Sequence, residues 1–167
     1  MPETDQSFDL DLTHHFDGSP DEVFEAWTSP DVLRKWWASV ATWDGAFAEI
    51  DLRIGGRYRI GMRNTDNGDV YVVGGEFREV VHPSRLVYTW TWEGDPESQA
   101  GSAGSLVTVE FVEDETGTMV VLRHRGFATP EVRDLHGEGW RGCLANLERR
   151  VLIPGRIGSA TAKSEEA

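Results

Sequence analysis

Three histidines sit where their neighbours alternate or recur with the period of a packed face: His14, His124 and His136. An imidazole titrates near neutral pH, so an inward-facing histidine can move a proton, ligate a metal or bond a ligand. His14 shares one alternating face with Phe8, Leu10, Leu12 and Phe16. His124 alternates with Val120 and Leu122, and His136 precedes Trp140 by one helical turn. No two of the three have the local spacing of metal ligands, so no metal centre is expected. Each reads either as a hydrogen-bonded wall residue or as a group touching a ligand. Around them runs an aromatic set: Trp27, Trp36, Trp37, Tyr58, Tyr88, Trp90, Trp92 and Trp140. Such a set either packs a core or lines an apolar pocket with few polar groups, the usual makeup of small-molecule sites. Cys143 falls on an apolar stripe and reads as a buried small hydrophobe, since nothing local favours its thiolate. Glu76, Glu79 and Glu110 lie in strand-like runs and read as solvated or arginine-paired. The chain carries no phosphate-binding glycine loop, nucleophile elbow or zinc spacing, so no catalytic residue and no cofactor are assigned.

The totals narrow the partners. A chain of 167 residues with 39% hydrophobic and 27% charged residues suits one globular domain. Its formal net charge of -13 disfavours nucleic acid and anionic membrane surfaces, both of which need a cationic footprint. No run approaches the roughly 18 apolar residues of a membrane helix. The opening "MPETDQSFDL" lacks the apolar core of a signal peptide. A single cysteine excludes an internal disulfide, and a cytoplasmic location is expected.

Local signals then place the elements. The period-two run from Phe8 to Phe16 predicts a strand with one buried face. In "SPDEVFEAWTSPDVLRKWWA", Ser19, Pro20 and Glu22 form a capping box with proline at the first helical position. Ser29 and Pro30 repeat the signal, so two short, separately capped helices are expected. From Glu49 to Arg125 the chain reads as strands and turns, with Gly55-Gly56 in a hairpin and a bulge at Gly74-Gly75. Thr129-Pro130-Glu131 opens the longest helical pattern, with Val132, His136, Trp140, Cys143, Leu144, Leu147 and Val151 on one stripe. That helix is expected over 130–152. The domain spans 7–153, and the Gly/Ser/Ala-rich tail 154–167 is expected to be disordered. A flexible loop is expected at "EGDPESQAGSAG". One helix cannot cover both faces of a large antiparallel sheet, so the sheet should curl around it.

The order of these elements, with "DLRIGGRYRI", "GEFREVVHPSRLVYTW", "VTVEF", "TGTMVVLRHRGF" and "HGEGWRGCLANLERRV", resembles a known family. It is that of domains related to the activator of heat-shock protein 90 ATPase, in the START-like (SRPBCC, birch-pollen-allergen-like) superfamily. The resemblance implies an α+β helix-grip fold: a curved antiparallel sheet of six to seven strands around a long C-terminal helix, with two short helices after the first strand. It also implies a cavity between sheet and helix, closed at one end by the helix pair. The candidates to line it are Trp36, Trp37, Tyr58, Tyr88, Trp90, His124, His136 and Trp140, with the two histidines as polar handles. The expected function is binding of a small hydrophobic or aromatic molecule. The alternatives are a cyclase- or aromatase-like enzyme using the same cavity, or a co-chaperone-like module contacting the heat-shock protein 90 chaperone. A homodimer is the further partner considered. Fold alone does not choose among these.

Overall fold

The computed structural model describes residues 8–37, 43–93 and 105–153. The expected tail at 154–167 lies outside them, as does the expected loop over 94–104. The chain order is β1 (Phe8–Phe16), α1 (Pro20–Thr28), α2 (Pro30–Trp36), β2 (Trp43–Ile50), β3 (Arg57–Asn64), β4 (Val70–Val81), β5 (Arg85–Trp92), β6 (Ser105–Asp114), β7 (Gly117–Phe127) and α3 (Pro130–Arg150). The strands form one seven-stranded sheet in the order β1-β7-β6-β5-β4-β3-β2. Every pairing is antiparallel. The sheet curls into a half-barrel around α3, which is the α+β arrangement expected.

The helix starts follow the cap chemistry. The Ser19 hydroxyl accepts from the Glu22 backbone N–H at 3.2 Å, and the Glu22 carboxylate accepts from the Ser19 N–H at 2.9 Å. Thr129 accepts from the Val132 N–H at 3.1 Å and so starts α3. Ser29 differs from expectation: it occupies the cap position of α2, but its side chain makes no capping bond. Pro30 fixes that helix start instead, because its ring presets φ and it has no N–H to satisfy.

Two sequence readings are corrected in the sheet. Gly74 and Gly75 do not form a bulge, since β3 and β4 pair through them without a shift. The irregularity in β4 lies between Phe77 and Glu79. The glycines are there for close approach: a Cβ on Gly75 would stand 2.0 Å from the Thr89 carbonyl oxygen. The second correction is β2, which the sequence reading did not locate. Its residues are nearly all half-buried, so no alternation marks it.

The buried stripe of α3 faces the concave side of the sheet, with His136, Trp140, Cys143, Leu144 and Leu147 all buried. It meets a continuous core that runs from Phe16 through Trp36 and Leu122 to Leu152.

Candidate functional site

Four elements bring tryptophans to one end of this core. Trp27 comes from α1, Trp36 from α2 with Trp37 directly after it, Trp90 and Trp92 from β5, and Trp140 from α3. The rings pack in chains: Trp37 lies 5.8 Å from Trp90 and 5.6 Å from Trp140, and Trp90 lies 5.2 Å from Trp140 (centroid to centroid). Large rigid rings meeting at steep angles leave space that small side chains do not fill. Here that space is a cavity of about 290 Å³ between the β2–β5 half of the sheet and the first half of α3. That volume sits near the lower end of ligand pockets, about 300–1,000 Å³. Trp37, Trp90, Trp92 and Trp140 wall it, with Trp43, Met62, Cys143 and His136 completing the interior. Tyr71 and Leu135 also line it and are themselves 43% and 64% exposed. They therefore mark its mouth.

Gly139 is the remaining lining residue. A glycine in the middle of a helix costs roughly 0.5–1 kcal/mol relative to alanine. No contact forces it here, because a Cβ at Gly139 would meet nothing within 4 Å. The missing side chain is space added to the cavity.

The polar groups form two parallel relays. An indole nitrogen can only donate. Trp92 Nε1–H donates to His136 Nε2 at 2.9 Å, which leaves the ring proton on Nδ1, where it donates to the Val132 carbonyl at 2.9 Å. Likewise Trp140 Nε1–H donates to His124 Nδ1 at 3.0 Å. His124 Nε2–H then donates to Ser105 Oγ at 2.7 Å, and Ser105 donates to the Trp90 carbonyl. Both imidazoles are thus fully satisfied in their neutral forms. A proton added to either would point at an indole N–H. Burial lowers the pKa of both, most strongly for His124, with the neighbouring His136 adding to it. For His136 the bond to Val132 works against the burial effect.

The sequence candidates therefore divide. Trp37, Trp90, His136 and Trp140 line the cavity. Tyr58 and Tyr88 line a separate recess of about 20 Å³ next to Trp37, too small for more than a water-sized group. Trp36 lies in the core, fully buried, with its N–H donated to the Ala26 carbonyl at 2.9 Å. His124 lies behind Trp90 and Trp140, without exposure to solvent or a place in the cavity wall. His14 is outside the site altogether and bonds Glu148 at 2.8 Å. The sequence reading did not place Trp43, Met62, Tyr71, Trp92, Leu135, Gly139 and Cys143 in the wall, although Trp92 stood in its aromatic set and Cys143 on its apolar stripe. Gly139 carried a signal, an uncapped glycine inside the strongest helical pattern. Trp43 carried none, because its strand lacks alternation.

Two polar atoms of the wall remain. The indole nitrogens of Trp37 and Trp90 are buried and have no hydrogen-bond partner among the described residues. No group of three or more His, Cys, Asp or Glu able to hold a metal occurs among those residues. None of the described helices is long and apolar enough to cross a membrane.

Comparison with known proteins agrees with the fold. Residues 17–151 match the family described as Activator of Hsp90 ATPase homolog 1-like protein. The chain superposes on a crystal structure of a protein from Chromobacterium violaceum with a TM-score of 0.72 at 21% identity, covering 87% of this chain and 99% of that one. An AHSA1-like protein from Aeromonas hydrophila, solved by NMR, gives 0.70 at 24% identity, covering 89% and 98%. At such identities the likeness concerns the fold. No functionally curated protein matches the chain.

Proposed function

The chain belongs to the Activator of Hsp90 ATPase homolog 1-like family, and from that premise we propose that it binds a small, mostly apolar ring compound in its tryptophan-walled cavity. The observation that carries this is the cavity itself: about 290 Å³, walled by aromatic rings, with no carboxylate, lysine or arginine among its described lining residues. Burial of apolar ligand surface supplies roughly 25 cal/mol per Å², and the flat indole faces suit a flat ligand. Cyclase-like chemistry in the same cavity would call for an acid or base. The lining histidine, His136, has both nitrogens engaged and is held neutral by burial. Binding is accordingly the better supported role.

The test uses tetralin, an uncharged bicyclic hydrocarbon, read by thermal shift and calorimetry. Saturating ligand raises stability by RT ln(1 + [L]/Kd), about 2.7 kcal/mol at a hundredfold excess over Kd. Gly139→Leu puts a side chain into open space, so it should fold at least as stably as the parent and lose the ligand-induced rise. Equal binding by both proteins, or no binding by the parent, would sink the proposal.

A further inference from the structure

We propose that the outer edge of β1 pairs with the same edge of a second copy of this chain, joining two sheets through antiparallel β1 strands about a two-fold axis at Leu12. β1 is a terminal strand of the sheet, with β7 on one side and no strand on the other. Among the described residues it makes no backbone–backbone bond to any element but β7. Such an edge presents a row of unpaired N–H and C=O groups, and native proteins blunt these rows with proline, lysine, bulges or a covering element. The other edge, β2, is blunted in that way. Its pairing shifts between Gly45 and Phe47, and α2 lies so near that a Cβ on Gly45 would stand 2.3 Å from the Arg34 carbonyl oxygen. β1 holds no proline, glycine or lysine in its nine residues. Its pairing with β7 runs without a shift from Leu10 to Phe16.

The identity of the partner follows from the residues of the strand. In an antiparallel pair, residues directly opposite share one face of the sheet, and a slip by one residue would turn the buried side chains outward. Two β1 strands centred on Leu12 set Leu12 against itself and Leu10 against His14 on the concave face. On the convex face they set Asp9 against the partner's His15, and Asp11 against the partner's Thr13. All nine residues are then paired, and neither acidic side chain meets another acid. His15 already bonds a carboxylate on this face, Asp114 at 3.2 Å. Sliding the strands by two residues one way sets Asp11 against Asp11, and like charges directly opposite are destabilising. Sliding them by two the other way pairs only residues 10–16. The strand is thus complementary to itself in its longest register. Asp9, Asp11 and Thr13 are exposed, while Phe8 and Leu12 are only half-buried and gain cover in the pair. One strand pair buries little area, and each chain carries a formal -13. The association is therefore weak, and it strengthens as salt screens the repulsion.

Sedimentation equilibrium on the full chain, over a series of concentrations at low and high salt, should show a monomer–dimer equilibrium that moves toward dimer with salt. Amide hydrogen exchange should localise the contact. The alternate β1 amides that point away from β7 should exchange fast in the dilute protein and slow as concentration rises, with β2 unchanged. Thr13 is exposed on the convex face, so replacing it spares the core. Thr13→Asp sets a second carboxylate against the partner's Asp11, twice in the dimer, and should weaken association about fivefold. Thr13→Lys sets an ammonium at the same place and should strengthen it about as much. A monomer at every concentration and salt would overturn the proposal. A dimer indifferent to both variants, with β1 exchange independent of concentration, would overturn it in favour of another face. Slow exchange of the outward β1 amides in the dilute monomer would overturn it too, because a segment of the same chain would then cover the edge.

Discussion

His124 and His136 are the residues whose chemistry looked most available from their type, and their surroundings make them among the least available. Each ring accepts an indole N–H on one nitrogen and donates its single proton on the other. Only the neutral form fits that pattern. Burial lowers the pKa of each below the ordinary histidine value of 6.5. The unfolded chain binds these protons at about pH 6.5, and the folded chain resists them. Stability is therefore complete above about pH 6.5 and falls as pH drops below it toward the folded pKa values. Urea titrations at pH 7.5 and pH 5.5 should show a lower midpoint at the acidic pH. The Hε1 resonances of both rings should stay unshifted between pH 8 and 6 in the native state. Titration of either ring near pH 6.5 would contradict the neutral relay. Trp92→Phe leaves His136 Nε2 without its donor, and a buried polar group so stranded costs about 1–3 kcal/mol.

At the scale of elements, the two glycines of α3 should answer differently to the same change. Gly139→Ala adds a methyl in open space and should stabilise the protein by about 0.5–1 kcal/mol through helix propensity. At Gly137 the added carbon would lie 3.2 Å from Leu10 Cδ1, so part or all of that gain is lost. Comparing the two melting temperatures checks this, and an equal rise in both would refute it. A harsher outcome is expected for Gly45→Ala, whose Cβ would sit 2.3 Å from the Arg34 carbonyl oxygen of α2. Helix and strand must separate there, at a cost of about 2 kcal/mol or more, and Trp37 moves with the helix. These elements were unequally legible in the sequence. The Ser-Pro and Thr-Pro starts gave α1, α2 and α3, because side-chain caps at Ser19 and Thr129 and the proline at Pro30 act locally. The apolar stripe gave the inward face of α3, because a single helix in a curved sheet buries only one side. Strand β2 stayed hidden because α2 packs on it and nearly every residue is half-buried, which erases the period of two. The cavity wall was half legible for a related reason. Sequence period reports which residues point inward, but not which of those find a packing partner. Trp36 and Trp90 share the inward pattern, yet the Ala26 carbonyl takes the N–H of Trp36 while that of Trp90 is left unpaired.

Over the whole molecule, one charge imbalance surrounds an interior in which no Asp, Glu, Lys or Arg is buried among the described residues. The chain carries a formal -13, so its exterior field favours cations and opposes anions at low salt. Among the described residues the cavity wall has no ionic group to add to that field. These two facts separate how ligands of different charge should respond to ionic strength. The Debye length falls from about 30 Å at 0.01 M salt to about 3 Å at 1 M. A cationic probe such as aminotetralin gains its long-range attraction only at low salt, and its affinity should fall severalfold as salt rises. An uncharged probe such as tetralin feels no such field. Its affinity should hold constant or rise slightly over the same range, because excluded salts strengthen apolar burial. Calorimetric titrations of tetralin at about 0.02 M and about 0.5 M sodium chloride check this. A severalfold loss of tetralin affinity at high salt would mean that its contact is electrostatic and that apolar burial is not what holds it.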